Sequence, residues 1–204
     1  MPQSNTPSAS AASPAVTAAL ADTRRWLDRA VIGLNLCPFA KAVQVRGQVH
    51  YAGTDTEDPE TLLQLLFAEA DALVALDADE RDTTLLVVTA CLPDFLDFND
   101  FAGDAEEQLF ERGFEGVLQL ATFHPEFQFG GTEPDDIGNA TNRAPWPTLH
   151  LLREASVDRA VEAFPDAEDI FERNIETLEK LGAEGWSALD VGPGSAARAP
   201  QDSP

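Results

Sequence analysis

Lysine is almost absent from this chain of 204 residues. Lys41 and Lys180 are the only two lysines, arginine supplies the rest of the 13 positive charges, and 36 aspartates and glutamates give a formal net charge of -23. Nucleic-acid binding requires a basic surface that neutralises phosphates and releases counterions. The charge balance therefore excludes nucleic acid as an expected partner and predicts an acidic, well-hydrated surface.

Cysteine and long apolar runs are also scarce. Cys37 and Cys91 are the only cysteines and lack CxxC spacing, so neither a disulfide framework nor a structural zinc site is expected. No run approaches the roughly 18 apolar residues of a membrane span, and the N-terminus lacks the basic and apolar parts of a secretory signal. No GxGxxG or P-loop motif is present to hold a nucleotide. We therefore expect a cytoplasmic protein without a membrane partner, whose cofactor and oligomeric state the sequence leaves open.

Apolar residues make up 44% of the chain, which is enough for one folded domain. We assign this domain to residues 15–190. Residues 1–14 and 191–204 are rich in alanine, serine and proline, and they are expected to be flexible tails because they cannot bury enough apolar surface to offset the entropy of ordering.

Hydrophobic periodicity predicts a βαβαβ core, preceded by one helix and followed by two. The expected elements are, in chain order, helix 15–34, strand 43–51 with a bulge at Gly47, a helix starting at Asp58 and Pro59, strand 83–90, helix 99–112, strand 117–123, and helices 157–164 and 168–181 separated by a break at Pro165. Helical crossovers between neighbouring strands make those strands parallel. The predicted fold class is α/β, a single domain with a small, mainly parallel sheet flanked by helices.

The segment 123–154 stands apart because it shows neither helical nor alternating periodicity. It contains four prolines and two of the three histidines. Long irregular segments inside compact domains are usually functional or disordered, and the many aromatic residues here argue against disorder. His124 comes directly after the third predicted strand, at the edge where open α/β sheets bind ligands. The segment is therefore the predicted active or binding site.

His124, His150 and Cys37 are the candidate catalytic residues. Histidine titrates near neutral pH and serves as an acid, a base or a metal ligand. A thiol at the start of a helix, where Pro38 would place Cys37, has its pKa lowered by the helix dipole. Structural roles are the alternatives: His124 bonds the end of the strand, His150 is a buried core residue, and Cys37 is a small buried apolar side chain.

Arginine supplies the candidate substrate-binding groups. A guanidinium offers a planar fork that matches a carboxylate or phosphate, so Arg143 and Arg153 predict a small anionic molecule as the partner. Asn142 and Trp146 are the further candidates, as a donor to the substrate and as a wall of the pocket. The alternative is that Arg143 pairs with Asp135 or Asp136, and Arg153 with a glutamate, only to fix the loop.

A metal site is the remaining possibility in this segment. If 149–154 is helical, His150 and Glu154 share one face at i, i+4. Together with Asp135 or Asp136 they would bind a metal, or a carboxylate would orient an imidazole. The two aspartates equally suit a simple turn after Pro134. The sequence leaves the metal unknown.

Four blocks of the chain have a distinctive sequence: LNLCPFAKAV at 34–43, FHPEFQFGGTEPDD at 123–136, TNRAPWPTLHLLRE at 141–154 and ERNIETLEKLG at 172–182. In these blocks the chain resembles the DUF1415 family, a bacterial and algal group of uncharacterised function. The resemblance covers nearly all of the predicted domain, and it implies no reaction or cofactor. Where the family tends to read NRSPYP, this chain has Ala144 and Trp146, so it cannot use a hydroxyl at 144 or a phenol at 146.

These observations favour an enzyme that acts on a small anionic metabolite by hydrolytic or proton-transfer chemistry. The alternatives are a non-catalytic protein that binds a small molecule or metal, and a structural or interaction protein with an acidic surface. The first two predict that His124, His150, Arg143 and Arg153 converge on one cavity.

Overall fold

The computed structural model describes residues 12–163 and 169–194, and places a four-stranded sheet among helices. The helices are α1 (Pro14–Trp26), α2 (Ala40–Val45), α3 (Pro59–Ala75), α4 (Phe95–Leu109), α5 (Glu154–Ala163) and α6 (Ile170–Ala188), and the strands are β1 (Val49–Thr54), β2 (Thr83–Val88), β3 (Leu118–Phe123) and β4 (Thr148–Arg153). Short π-helical turns extend α1 over Leu27–Ile32 and α4 over Phe110–Phe114, and a 3-10 helix spans Ile137–Asn142. The predicted α/β class is confirmed.

The sheet is mixed, with strand order β1-β2-β4-β3. β1 and β2 pair in parallel, whereas β4 runs antiparallel to both of its neighbours, β2 and β3. The sequence analysis missed β4 and placed β3 beside β2. Because two antiparallel pairings restore the original direction, β1, β2 and β3 still all end at one edge of the sheet. The segment between β3 and β4 starts and finishes at this edge.

Each face of the sheet packs against different helices. α3 and α4 cover the face of the sheet that carries Leu86 and Leu149. Leu62 and Leu66 of α3 and Phe98 of α4 form the main core with these two strand residues, and all five side chains are fully or almost fully buried. On the other face, Trp26 at the end of α1 packs edge-on against Phe123, with 5.0 Å between ring centroids. Because successive side chains along a strand point to opposite faces of the sheet, the residues of β3 and β4 contribute alternately to two cores.

The first predicted strand was wrong in its first half. Val43 and Val45 lie in α2, and Val45 is 78% exposed. Gly47 adopts a φ of 71°, in the left-handed region, and turns the chain out of the helix before β1 begins at Val49. The alternating pattern of valines therefore combined residues at the end of α2 with residues of β1 in one predicted strand. Gly47 lies in the turn between the two elements, so the predicted bulge at Gly47 is not formed.

Helix starts follow their capping residues. Asp58 accepts a hydrogen bond from the amide of Thr61 at 3.0 Å, and Pro59 occupies the first position of α3, as predicted. α4 begins at Phe95 and not near residue 99, because Asp94 accepts from the amides of Leu96 and Asp97 at 2.8 and 3.2 Å. This earlier start brings the first turn of α4 to the edge where β2 ends.

The ends of the domain differ from the sequence-based boundaries. α1 already begins at Pro14, and Val191, the first residue of the predicted C-terminal tail, is only 5% exposed within the cluster around Trp26. Gly182 ends the first helical stretch of α6, as predicted, because its φ of 67° and ψ of 173° are not helical, and a second helical stretch then runs to Ala188. The predicted break at Pro165 and most of both tails lie outside the described residues. No helix within 12–163 and 169–194 is both long and apolar enough to cross a bilayer.

Candidate functional site

A groove of about 460 Å³ lies at the edge where β1, β2 and β3 end. One wall comes from the start of α4 and the other from the segment that follows β3. The lining residues are Asp94, Phe95, Leu96, Pro125, Glu126, Gln128, Pro134 and Arg143. Its size is that of an ordinary small-molecule site, and its place is the edge predicted for ligand binding.

The α4 wall depends on a sharp turn after β2. Leu92 adopts a φ of 53°, a left-handed conformation that costs a non-glycine residue on the order of 1 kcal/mol. Pro93 and the capping residue Asp94 follow at once, so the chain reverses from strand to helix within a few residues. Phe95 is thereby placed beside the groove, with its ring 5.2 Å from that of Phe127 on the opposite wall.

Asn139 organises the other wall. Its side chain is fully buried, accepts hydrogen bonds from the amide of Phe129 at 3.0 Å and the hydroxyl of Thr132 at 2.9 Å, and donates to the carbonyl of Glu133 at 2.9 Å. One amide therefore satisfies three groups of a segment that has no ladder bonds of its own. The predicted site loop is ordered by internal hydrogen bonds.

Replacing Asn139 by alanine is expected to lower the free energy of unfolding by about 1–2 kcal/mol, since three partners lose their bonds in a dry site. Asn142→Ala is the matched control, because the Asn142 side chain makes no hydrogen bond to any described residue. Urea unfolding of both variants checks this. Equal losses for the two asparagines would contradict the structural role of Asn139.

Arg143 lies between the segment and the groove. Its Nε donates to the carbonyl of Phe127 at 3.0 Å and its Nη2 to that of Pro134 at 2.7 Å. The predicted alternative, an ion pair with Asp135 or Asp136, is not formed, and Asp136 instead accepts from the amide of Gly138 at 2.8 Å as the cap of the 3-10 helix. Burial lowers the pKa of the guanidinium, against the opposing influence of Glu126 and Asp136. Arginine nevertheless stays charged.

His124 lies behind the α4 wall and is only 1% exposed. Its ring packs against Phe98 and Phe95, with centroid distances of 5.2 and 5.6 Å. Nδ1 accepts the amide of Glu126 at 3.1 Å, so the neutral ring carries its proton on Nε2. Nε2 is buried and makes no hydrogen bond of normal geometry to a described residue, although the carbonyls of Leu92 and Pro93 lie close enough to attract its proton. It is the kind of donor that a ligand can satisfy.

The charge state of His124 follows from these surroundings. Burial lowers its pKa below the ordinary value, and the nearby carbonyl of Leu92 and the carboxylates of Glu126 and Asp94 oppose this effect. The Glu126 amide also occupies the nitrogen that would take the second proton. His124 is therefore a neutral hydrogen-bond donor at physiological pH.

His150 and Arg153 lie elsewhere, so the predicted convergence of four residues on one cavity was wrong. His150 is in the middle of β4, with Nε2 2.6 Å from the hydroxyl oxygen of Thr83. Arg153 ends β4 at the opposite edge of the sheet, roughly 17 Å along the strand from Thr148, and donates to the backbone carbonyls of Leu73 and Leu76 at the end of α3. Only His124 and Arg143 remain near the groove.

Cys37 belongs to a different part of the molecule. It packs against the cluster around Trp26, on the face of the sheet opposite to the Phe98 core that contacts His124. The residue that caps α2 is Phe39, not Cys37. Burial raises the pKa of the thiol, although the amides of Phe39 and Ala40 act in the opposite direction. The expected lowering of this pKa was therefore wrong.

The remaining predicted site residues have structural contacts. Trp146 donates from Nε1 to Asp22 at 3.4 Å, which ties the segment to α1, and the carbonyl of Asn142 accepts the amide of His124 at 3.2 Å. Because 148–153 is a strand, His150 and Glu154 do not share a helical face. Asp135 is exposed. No group of three or more His, Cys, Asp or Glu side chains suited to a metal occurs in the part of the chain that the structure describes.

The sequence analysis overlooked the groove residues Asp94, Phe95, Glu126 and Gln128. A local signal would have found the first two. Asp94 follows a proline and comes four residues after the predicted strand 83–90, a position typical of a helix cap at the carboxyl edge of the sheet. Glu126 and Gln128 alternate with aromatic residues after His124. Their exposure to the groove depends on the fold of the whole segment.

Searches of curated proteins and of solved structures return no significant match to this chain. The family comparison gives a positive result over residues 18–188, which includes β1 to β4, both walls of the groove and all of α6. The chain belongs to the family described as "Protein of unknown function (DUF1415)".

Proposed function

We propose that the protein is a cytosolic enzyme that binds a small anionic metabolite in the groove at the carboxyl edge of the sheet. The observation that carries the proposal is Arg143. Acidic residues outnumber basic ones by 36 to 13, yet this guanidinium lines a groove and makes no ion pair with any described residue. Two carbonyls hold its Nε and Nη2, so Nη1 is available to a carboxylate or phosphate. The two free cysteines fit a reducing compartment.

His124 supplies the proposed chemistry. Its Nε2–H makes no hydrogen bond of normal geometry to a described residue and lies behind Phe95, which lines the groove. A side-chain rotation of Phe95 would let this donor stabilise negative charge that develops on the substrate. Proton transfer through Nε2, as in a hydrolytic or proton-transfer step, requires in addition that the Glu126 amide release Nδ1, because a neutral ring holds only one proton.

A thermal-shift screen with carboxylate and phosphorylated metabolites tests the binding step. Hits are expected to stabilise the parent protein, and Arg143→Lys is expected to weaken their binding about tenfold or more, because an ammonium does not reproduce the planar fork. Arg159→Lys is the matched control, since Arg159 is exposed on α5 far from the groove. Each variant is compared with its own ligand-free melting temperature, which removes any loss of loop stability from the comparison. Hits that bind Arg143→Lys and the parent equally would refute the role of Arg143.

Non-catalytic binding is the second candidate function, and the burial of His124 favours it. Only 1% of this residue is exposed, so a ligand in the groove reaches Arg143 before it reaches the imidazole. His124→Gln separates the two functions once a ligand is known. Loss of turnover with unchanged ligand affinity supports the enzyme with His124 in the proposed role, and unchanged conversion refutes that role of His124. No conversion by the parent supports a binding protein.

A further inference from the structure

The groove carries both signs of charge. Arg143 is its one cationic lining residue, and the carboxylates of Asp94 and Glu126 line it as well. A ligand with negative charge alone would gain the guanidinium but meet two carboxylates, within a protein whose net charge is -23. Like charges in one site repel, and their cost rises as water is excluded.

The two carboxylates have unused hydrogen-bonding capacity. Asp94 caps α4 through Oδ1 alone, and its Oδ2 makes no hydrogen bond to a described residue. The Glu126 side chain is exposed and makes no ion pair within the described residues, although its own amide is fixed on His124. Carboxylate oxygens without partners beside a groove are acceptors for a positively charged N–H group.

The groove also has an apolar wall. Phe95 lines it and contacts Phe127, which in turn packs edge-on against Phe129 with 4.9 Å between centroids. Leu96, next to Phe95, is 69% exposed. An aromatic or branched aliphatic group on a ligand would cover this exposed apolar surface.

We infer that the groove binds a small zwitterion with an apolar side chain, of the α-amino-acid type. The carboxylate of the ligand pairs with Arg143, its ammonium group with Glu126 and Asp94, and its side chain packs on Phe95 and Leu96. The inference rests on the proposed function, because it takes the same groove and the same role for Arg143. It adds that a positive group is required for tight binding.

Two sets of three matched compounds test the requirement for both charges. L-phenylalanine, 3-phenylpropanoate and 2-phenylethylamine share one skeleton, and L-leucine, 4-methylpentanoate and 3-methylbutan-1-amine share another. Titrations of the full chain by calorimetry and by amide NMR measure each affinity and locate it at the groove. At least one amino acid is expected to bind ten times or more tightly than both of its single-charge analogues.

Variants of the protein identify which side chain binds the carboxylate of the ligand and which binds its ammonium group. Glu126→Gln is expected to weaken the amino acid about tenfold and to leave the matched carboxylate unchanged or tighter, while Arg143→Lys weakens both. Glu115→Gln, which removes an exposed carboxylate before β3 at the other edge of the sheet, is the control for the change in net charge.

The outcomes separate this inference from the proposed function. If the carboxylates bind as tightly as the amino acids, or Glu126→Gln has no effect, the zwitterion is refuted and an anion site at Arg143 stands. If no member of either set binds while other anions bind through Arg143, the zwitterion is likewise refuted and the anion site at Arg143 stands. If the amines alone bind, both proposals fail.

Discussion

Lowering the pH from 7 to 5 is expected to reduce the free energy of unfolding by about 2 kcal/mol through His150 alone. Burial lowers the pKa of this imidazole from 6.5 to about 4. Between these two values the unfolded chain binds a proton that the folded protein does not. The contribution to stability is therefore fully present above pH 6.5 and is lost as the pH falls toward 4, where the loss totals about 3 kcal/mol.

The hydrogen bonds of His150 explain why its neutral form is preferred. The Thr83 hydroxyl is 2.6 Å from His150 Nε2 and 2.6 Å from the carbonyl of Leu151. A carbonyl only accepts, so the hydroxyl proton goes to Leu151 and the Nε2 proton goes to Thr83. Neutral His150 already satisfies this arrangement, and a second proton would add an uncompensated charge beside the ring of Phe123.

Urea unfolding of the parent protein and of His150→Gln at pH 7, 6 and 5 measures the effect. Glutamine keeps a donor for Thr83 but does not titrate, so the variant should lose about 2 kcal/mol less than the parent over this range. His50→Gln is the comparison: burial and Arg81 also lower the pKa of His50, against the influence of Glu69 at 3.7 Å, but this side chain is 46% exposed, so its removal should change the pH dependence less. Parallel pH profiles of parent and His150→Gln would contradict the prediction, as would an NMR titration that places the pKa of His150 near its ordinary value.

Local sequence signals predicted much of the fold. The start of α3 was predicted correctly because Asp58 and Pro59 act within one turn, and their contacts depend on no distant residue. β2 was recognised because both of its faces are buried, which requires an almost continuous apolar run. Helix caps, which depend only on neighbouring residues, and strands that are buried on both faces therefore leave an unambiguous pattern in the sequence.

β4 could not be recognised in the same way. Its six residues contain three leucines and an arginine, which favour helix as much as strand, and no β-branched residue except Thr148. What makes it a strand is pairing on both sides, with β2 and with β3, over residues far away in the chain. Hydrogen bonds to β2 and β3 decide that these six residues form a strand, and the local sequence pattern does not indicate this pairing.

The structure places a groove at the predicted edge of the sheet but separates the residues that were predicted to share it. His124 was assigned to the edge of the sheet from the end of β3 alone, and that assignment does not depend on β4. Arg153 and His150 were grouped with it because they follow within one segment. A strand of six residues carries the chain roughly 17 Å away, so residues close in sequence reached the middle and the far edge of the sheet.

Replacing Arg153 by methionine is expected to lower the free energy of unfolding by about 2–3 kcal/mol, or roughly 4–12 °C in melting temperature for a domain of this size. The guanidinium donates to three backbone carbonyls, those of Leu73, Leu76 and Arg81. The carbonyls of a last helical turn have no partners within the helix. Arg153 therefore ties the end of α3 and the start of β2 to the end of β4, while methionine keeps only the apolar stem.

The pattern of substitutions distinguishes this structural role from the substrate-binding role that the sequence suggested. Arg153→Lys should recover part of the stability, since one ammonium can serve some of the three carbonyls. Arg159→Met should cost little, because Arg159 is exposed and its one side-chain hydrogen bond within 12–163 and 169–194 is to Ser156. A ligand that binds through Arg143 should keep its affinity in Arg153→Met at temperatures where the variant is folded. Loss of that affinity without loss of stability would mean that Arg153 does reach the ligand, and that the two edges of the sheet are functionally connected.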